Sequence, residues 1–222
     1  MEASCGPSEM GRTPGGRKLI AVVYADMVGY SRLIGLDDIG TLERLRTLRS
    51  AVIDPAINEY SGRVVSTGGD SLLIVFDSID GAVRCAAVTV QQQVPAYDGG
   101  HPTDRTIRFR VGINIGDVIP DGTDVYGAVV NVAARLQAAC PPGGICVSQA
   151  VRDHVRDRPD IAFDSLGPIK LKNITHPVEA FVLRLGTSVP KAVHAPVSLP
   201  DLSIARLQAL FGGPAVCQPQ WQ

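Results

Sequence analysis

Residues 19–25 read LIAVVYA, an unbroken apolar run rich in β-branched side chains. Such a run, too short for a core helix, predicts a buried strand, and it sets Asp26 where that strand meets a loop. Beyond Gly29 the period changes: Leu42, Leu45, Leu48, Val52 and Ile53 recur every three to four residues, as an amphipathic helix requires. Pro55 is expected to kink or end that helix. Residues 63–66 and 72–76 are two strand-like runs joined by Thr67-Gly68-Gly69-Asp70-Ser71, a hairpin signal with Asp70 at the tip. A second helix is predicted over residues 79–94, closed by Pro95, with a polar loop over 98–104. Ile107, Phe109, Val111, Ile113 and Ile115 then alternate with other residues, the signature of a strand with one face on a core.

Residues 124–139 read as a helix with its entry segment, followed by the Pro141-Pro142-Gly143-Gly144 break. A short strand over 145–148, a small helix over 149–156 and a closing hairpin from 169–174 and 178–185 complete the pattern. Helices alternating with hairpins predict an α+β sandwich with helices packed on a mostly antiparallel sheet. Residues 1–17 form a flexible N-terminal segment in this reading, residues 18–186 the single folded domain, and residues 187–222, rich in Pro, Ala and Ser, a linker-like tail.

Composition narrows the function classes. With 222 residues, 45% hydrophobic and 19% charged, the chain has ordinary globular content. Its 21 basic and 22 acidic residues leave a net charge of -1, so there is no broad electrostatic footprint for nucleic acid or an anionic membrane. The five cysteines, Cys5, Cys85, Cys140, Cys146 and Cys217, are scattered and odd in number, which fits a reducing compartment better than a disulfide framework. Cys140 and Cys146 flank the Pro-Gly break without a histidine at zinc-finger spacing, so buried or idle thiols are expected there. The N-terminal residues lack the apolar core of a signal peptide, and no apolar run approaches the ~20 residues that span a bilayer. A cytoplasmic protein is the expectation.

Candidate chemistry centres on Asp26 and Asp70. Adjacent strands lie only about 5 Å apart, so the two carboxylates can converge, and paired hard oxygens suit Mg2+ or Mn2+ better than zinc. Each aspartate alone is equally readable as a turn cap.

The words around them carry more. Ala25-Asp26-Met27-Val28-Gly29-Tyr30-Ser31, the segment from Gly62 to Asp70, Asp124-Val125-Tyr126-Gly127 through Asn131 to Arg135, and Leu171-Lys172-Asn173-Ile174 with Pro177-Val178 stand in this order. Together they resemble the signature segments of class III nucleotidyl cyclase catalytic domains. The resemblance implies a ferredoxin-like α+β sandwich and an adenylate cyclase, a lyase that converts ATP to cyclic AMP and pyrophosphate in intracellular signalling.

It also implies roles for particular residues. Asp26 and Asp70 would hold two Mg2+ or Mn2+ ions per active site. Asn131 and Arg135, four apart and on one helix face, would position the ribose and stabilise charge at the α-phosphate, and Lys172 would grip the terminal phosphates, with Lys170 close by on the same strand face. Ser66 and Asp124 stand where such adenylate cyclases carry a base-reading Lys and Asp. Serine keeps a donor but lacks the reach and charge of lysine, so weaker affinity or fidelity for ATP is expected. Asp124 is also readable as a helix N-cap. Because the metal aspartates and the Asn/Arg/Lys set come from different subunits in the family, a homodimer is implied.

Two alternatives stay open. Gly68-Gly69-Asp70 is similar to the GGDEF loop of diguanylate cyclases, but Ser71-Leu72 follows in place of Glu-Phe. A degenerate domain that binds nucleotide or a partner with little catalysis is the reading that Ser66 favours.

Overall fold

The structure, a computed structural model, describes residues 18–121, 124–170 and 177–186, with side chains of 119–124 left aside. The predicted N-terminal segment, the 187–222 tail and Lys172 lie outside the described residues.

One mixed sheet organises the chain. Its strands are β1 (Lys18–Met27), β2 (Gly62–Gly68), β3 (Ser71–Phe76), β4 (Phe109–Asp121), β5 (Asp124–Tyr126), β6 (Ile145–Ser148), β7 (Ile161–Ile169) and β8 (Val178–Leu185). They lie in the order β2-β3-β1-β4-β6-β8-β7, with β5 paired to β4. Among the described strands only β4 and β6 run parallel; the other pairings are antiparallel. The helices are α1 (Tyr30–Leu36), α2 (Asp38–Leu48), α3 (Asp54–Glu59), α4 (Ile79–Val88), α5 (Val94–Asp98), α6 (Ala128–Ala139) and α7 (Gln149–Val155). This is the α+β class that the pattern predicts.

The two sheet faces are covered unequally. Ala21, Val23, Ala25 and Met27 of β1 join Phe109, Val111 and Ile113 of β4 in a large core that also takes in residues of α1–α5 and α7. The alternate residues Ile20 and Val22 face the other way and meet Val129 and Ala133 of α6. Leu136, also on α6, packs on Cys146 and Ala180 nearby. Among the described residues a single helix therefore covers the second face, and Tyr24, Val65, Leu73, Val130, Val132 and Val182 beside it are only partly buried.

Several expectations change in detail. Pro55 and Pro95 do not stop their helices. Residues 49–53 and 89–93 widen into π-type turns, in which the amides of Asp54 and Val94 donate to the carbonyls of Arg49 and Thr89, five residues back. In a regular helix each proline ring would strike the carbonyl four residues before it; the widened turn moves that carbonyl away and removes the need for the missing N–H. The segment ahead of α6 contains a strand, β5, and the α6 N-cap is Gly127 rather than Asp124. The partner of β8 in the closing hairpin begins at Ile161, earlier than expected, and bulges near Gly167. Residues 171–176 of that predicted hairpin lie outside the described residues.

Candidate active site

Asp26 is not in a loop. It sits inside β1, in register with Ser71 of β3 on one side and Arg110 of β4 on the other. Facing residues in neighbouring strands share a sheet face, so Asp26, Arg110 and Ser71 form a row on the face that α6 covers.

Asp70 belongs to the two-residue turn between β2 and β3. Gly69 opens that turn with φ 68, the left-handed backbone that a hairpin takes most cheaply with glycine at its first central position. The Asp70 carbonyl then accepts from the Met27 amide at 3.1 Å, which ties the hairpin tip to the end of β1.

The two carboxylates are close enough to repel. Burial pushes the Asp26 carboxyl above its ordinary pKa, and the charge of Asp70 pushes it further the same way. Arg110 and a hydrogen bond from Gln137 act in the opposite sense. Arg110 Nη2 lies 3.8 Å from Asp26 Oδ2, and Gln137 Nε2 donates to the same oxygen at 3.4 Å. The Arg110 Nε is buried without a hydrogen-bond partner.

This donor set fits a hard dication. Two acids held together in a half-buried place are relieved by a divalent ion, and Mg2+ commonly takes only one or two carboxylates, its other positions going to water and substrate phosphates. No cluster of three or more His, Cys, Asp or Glu side chains suited to a metal occurs among the described residues, so an all-protein cage is not offered there.

Asn131 and Arg135 are exposed on α6. The buried stripe of the helix is Val129, Ala133, Leu136 and Gln137, so the Asn/Arg pair points away from its own sheet. The structure thus brings Asp26 and Asp70 together and leaves Asn131 and Arg135 on an outward surface. Ser66 is exposed on β2, in register with Leu73 just after a bulge, and Leu73 packs on the α6 side. Asp124 lies in β5; its side chain, like Lys172, lies outside the described residues.

Close approach of α6 is built into β4. A Cβ on Gly112 would collide with the carbonyl of Ala133 and the amide of Gln137, and one on Gly116 would press Val129 at 3.2 Å. Buried Asn114, between those glycines, donates from Nδ2 to the Val129 carbonyl at 3.4 Å. Arg110, Gly112, Asn114 and Gly116 are the alternate positions of the strand predicted from its apolar row. A charge in mid-strand and a glutamine on the apolar stripe of a helix were the available signals for Arg110 and Gln137.

Cys85, Cys140 and Cys146 are buried and free, as the sequence led us to expect. Burial pushes the Cys85 thiol up to about 12, which makes it a poor nucleophile.

Residues 15–185 match the adenylate and guanylate cyclase catalytic domain family. A Rhizobium meliloti protein named, provisionally, adenylate cyclase 3 is 41% identical over 162 residues, which is 73% of this chain and 27% of that protein. The crystal structure of an adenylate/guanylate cyclase/hydrolase from Silicibacter pomeroyi is 41% identical with TM-score 0.70, covering 77% of this chain and 98% of that one. The adenylyl cyclase CyaB from P. aeruginosa shares the fold at 20% identity and TM-score 0.66, over 78% of this chain and 97% of its own. The chain spans 27% to 40% of the length of the first curated relatives it matches.

Proposed function

Since the chain belongs to the class III adenylate and guanylate cyclase catalytic domain family, whose members generally use divalent metal ions, we propose that it converts ATP to 3′,5′-cyclic AMP and pyrophosphate at a site shared between two copies of itself. The observation that carries this reading is the arrangement of Asp26 and Asp70: one carboxylate inside β1 on the sheet face that α6 covers, the other in the β2–β3 turn tied to the end of β1, close enough to repel one another.

In the reaction the ribose 3′-oxygen attacks the α-phosphorus. The new O–P bond closes the ring, the bond to the β-phosphate breaks, and the 3′-hydroxyl proton leaves with solvent or a phosphate oxygen. Asp26 and Asp70 would hold two Mg2+ or Mn2+ ions, whose charge would acidify the 3′-hydroxyl and neutralise the phosphates. Asn131 orients the ribose. Arg135 donates to the oxygens of the α-phosphate as charge builds there, a contribution of about 3 kcal/mol for one well-placed donor. Lys172 holds the terminal phosphates. Asp124 accepts from the 6-amino group of adenine, which guanine, with a 6-oxo group, does not supply, and Ser66 adds a hydroxyl donor.

The positions of these groups support homodimerisation. Asn131 and Arg135 face outward from α6, and the half-buried apolar side chains around that helix supply a surface for a two-fold partner. An isologous pair would set each copy's outward Asn/Arg against the other's carboxylates and build two equivalent sites. No described helix is long and apolar enough to cross a membrane; a cytoplasmic location is part of the proposal, along with ATP as the small-molecule substrate.

The test is cyclic nucleotide formation from ATP and, separately, GTP by purified protein with Mn2+ and with Mg2+, over a range of protein concentrations and with Asp26→Ala as control. Cyclic AMP that disappears in the variant and rises more steeply than protein concentration is the expected result. A folded protein that yields no cyclic nucleotide under any condition would contradict this reading and favour the binding-module alternative to which Ser66 points.

A further inference from the structure

Gln137 is an anomaly on α6. It occupies a position of the helix's inward stripe, beside Ala133 and Leu136, and is itself only 6% exposed. Helix periodicity calls for an apolar residue there, and burying an amide costs free energy unless its groups are bonded. Its Nε2 reaches across to Asp26 Oδ2 at 3.4 Å, and its backbone amide lies directly over Gly112, the residue that lets α6 approach β4. Arg110 meets the same Oδ2 at 3.8 Å from the β4 side.

We propose that Gln137 is a positioning residue for the metal-binding carboxylate: with Arg110 it engages Asp26 Oδ2, fixes the plane of the carboxylate, and offers Oδ1 to the cation. This rests on the reading of Asp26 as a metal-binding residue.

The geometry supplies the reasons. A carboxylate pressed by burial and by Asp70 would otherwise rotate about its Cβ–Cγ bond toward whatever donors or water lie nearby. A neutral amide donor restrains it without adding a second competing cation to the one already at 3.8 Å. Groups that orient metal ligands from behind commonly control affinity by 10–100-fold. There is also a consequence for assembly. α6 presents Asn131 and Arg135 outward and Gln137 inward, so the helix that serves the partner's site in the dimer also restrains the metal aspartate of its own chain.

The measurement is Mn2+ affinity, read from the free-ion signal in electron paramagnetic resonance, with an ATP analogue that lacks the 3′-hydroxyl and so cannot cyclise. Wild type is compared with Gln137→Met, Gln137→Leu and Asp26→Asn, each first shown to melt cooperatively. Both Gln137 variants, which remove the donor but differ in shape, should weaken Mn2+ binding roughly tenfold. In turnover their deficit should be greater at low Mn2+ than at high Mn2+, whereas a packing defect would depress the rate equally at both. Wild-type affinity in both Gln137 variants, with binding lost in Asp26→Asn, would overturn the role of Gln137 and leave that of Asp26 standing. Wild-type affinity in Asp26→Asn would overturn both.

Discussion

At Asp26 the demands of stability conflict with those of the proposed metal-binding role. Its carboxyl is raised above the ordinary value, first by burial and then by Asp70. A carboxyl with a higher pKa folded than unfolded binds its proton more tightly in the fold. The stability this gives is present at low pH, below the unfolded value, and is lost as pH rises through the folded one. At neutral pH without metal, the charged pair is therefore a burden. Asp26→Asn should raise the melting temperature in chelator at pH 7, with a gain that shrinks toward pH 3, while abolishing cyclisation. Thermal melts across that pH range check the sign. Arg135→Ala should lower the turnover rate by 100- to 1000-fold without changing the melt. Ser66→Lys should raise kcat/KM for ATP about tenfold by adding a charged donor, read from steady-state rates with ATP and GTP side by side.

What the sequence made legible at these positions depended on local chemistry. Asp26 and Asp70 stood out because each ends or links an apolar run, whereas Asn131 and Arg135, four apart on one helix face, drew notice only through the family pattern. Arg110 and Gln137 were hidden, since their meaning arises only when β4 and α6 both pack against β1 and bring them to the same oxygen of Asp26. Ser66 too was recognisable only through the family pattern; nothing in its own surroundings marks it.

Among the elements, the contact between α6 and β4 is the most exacting. Gly112 and Gly116 stand on one face of the strand and permit the helix backbone to lie against it. Gly112→Ala would drive a methyl group into the backbone of α6, which cannot move aside as a side chain can. A loss of about 3 kcal/mol, at the upper end of ordinary overpacking, lowers the melting temperature of a domain this size by roughly 10 °C, and calorimetry reads it directly. Activity should fall further than stability, because the same shift displaces Gln137, Asn131 and Arg135 together. The apolar odd-numbered row of β4 was plain from alternation; the glycines opposite were not, because a small residue on a strand's second face is as compatible with solvent as with a helix. Pro55 and Pro95 misled for a related reason. Proline forbids a regular helix, and only the surrounding core, which buries Ile53, Ile57 and Val94, shows that a widened turn is accommodated.

For the whole molecule, the unequal covering of the sheet is the feature that joins fold to function. Among the described residues one face is closed by six helices, the other by α6 with half-buried apolar residues around it. A shared site predicts that two different lesions complement. Asp26→Ala and Arg135→Ala variants, each inactive alone, would be mixed in equal amounts under conditions that allow subunits to exchange. Half of the dimers would then be mixed, each with one site carrying both lesions and one carrying neither, so about a quarter of wild-type cyclic AMP formation should return. Activity that stays at the level of the separate variants, despite exchange shown by an affinity tag on one partner, would contradict a site built from two chains.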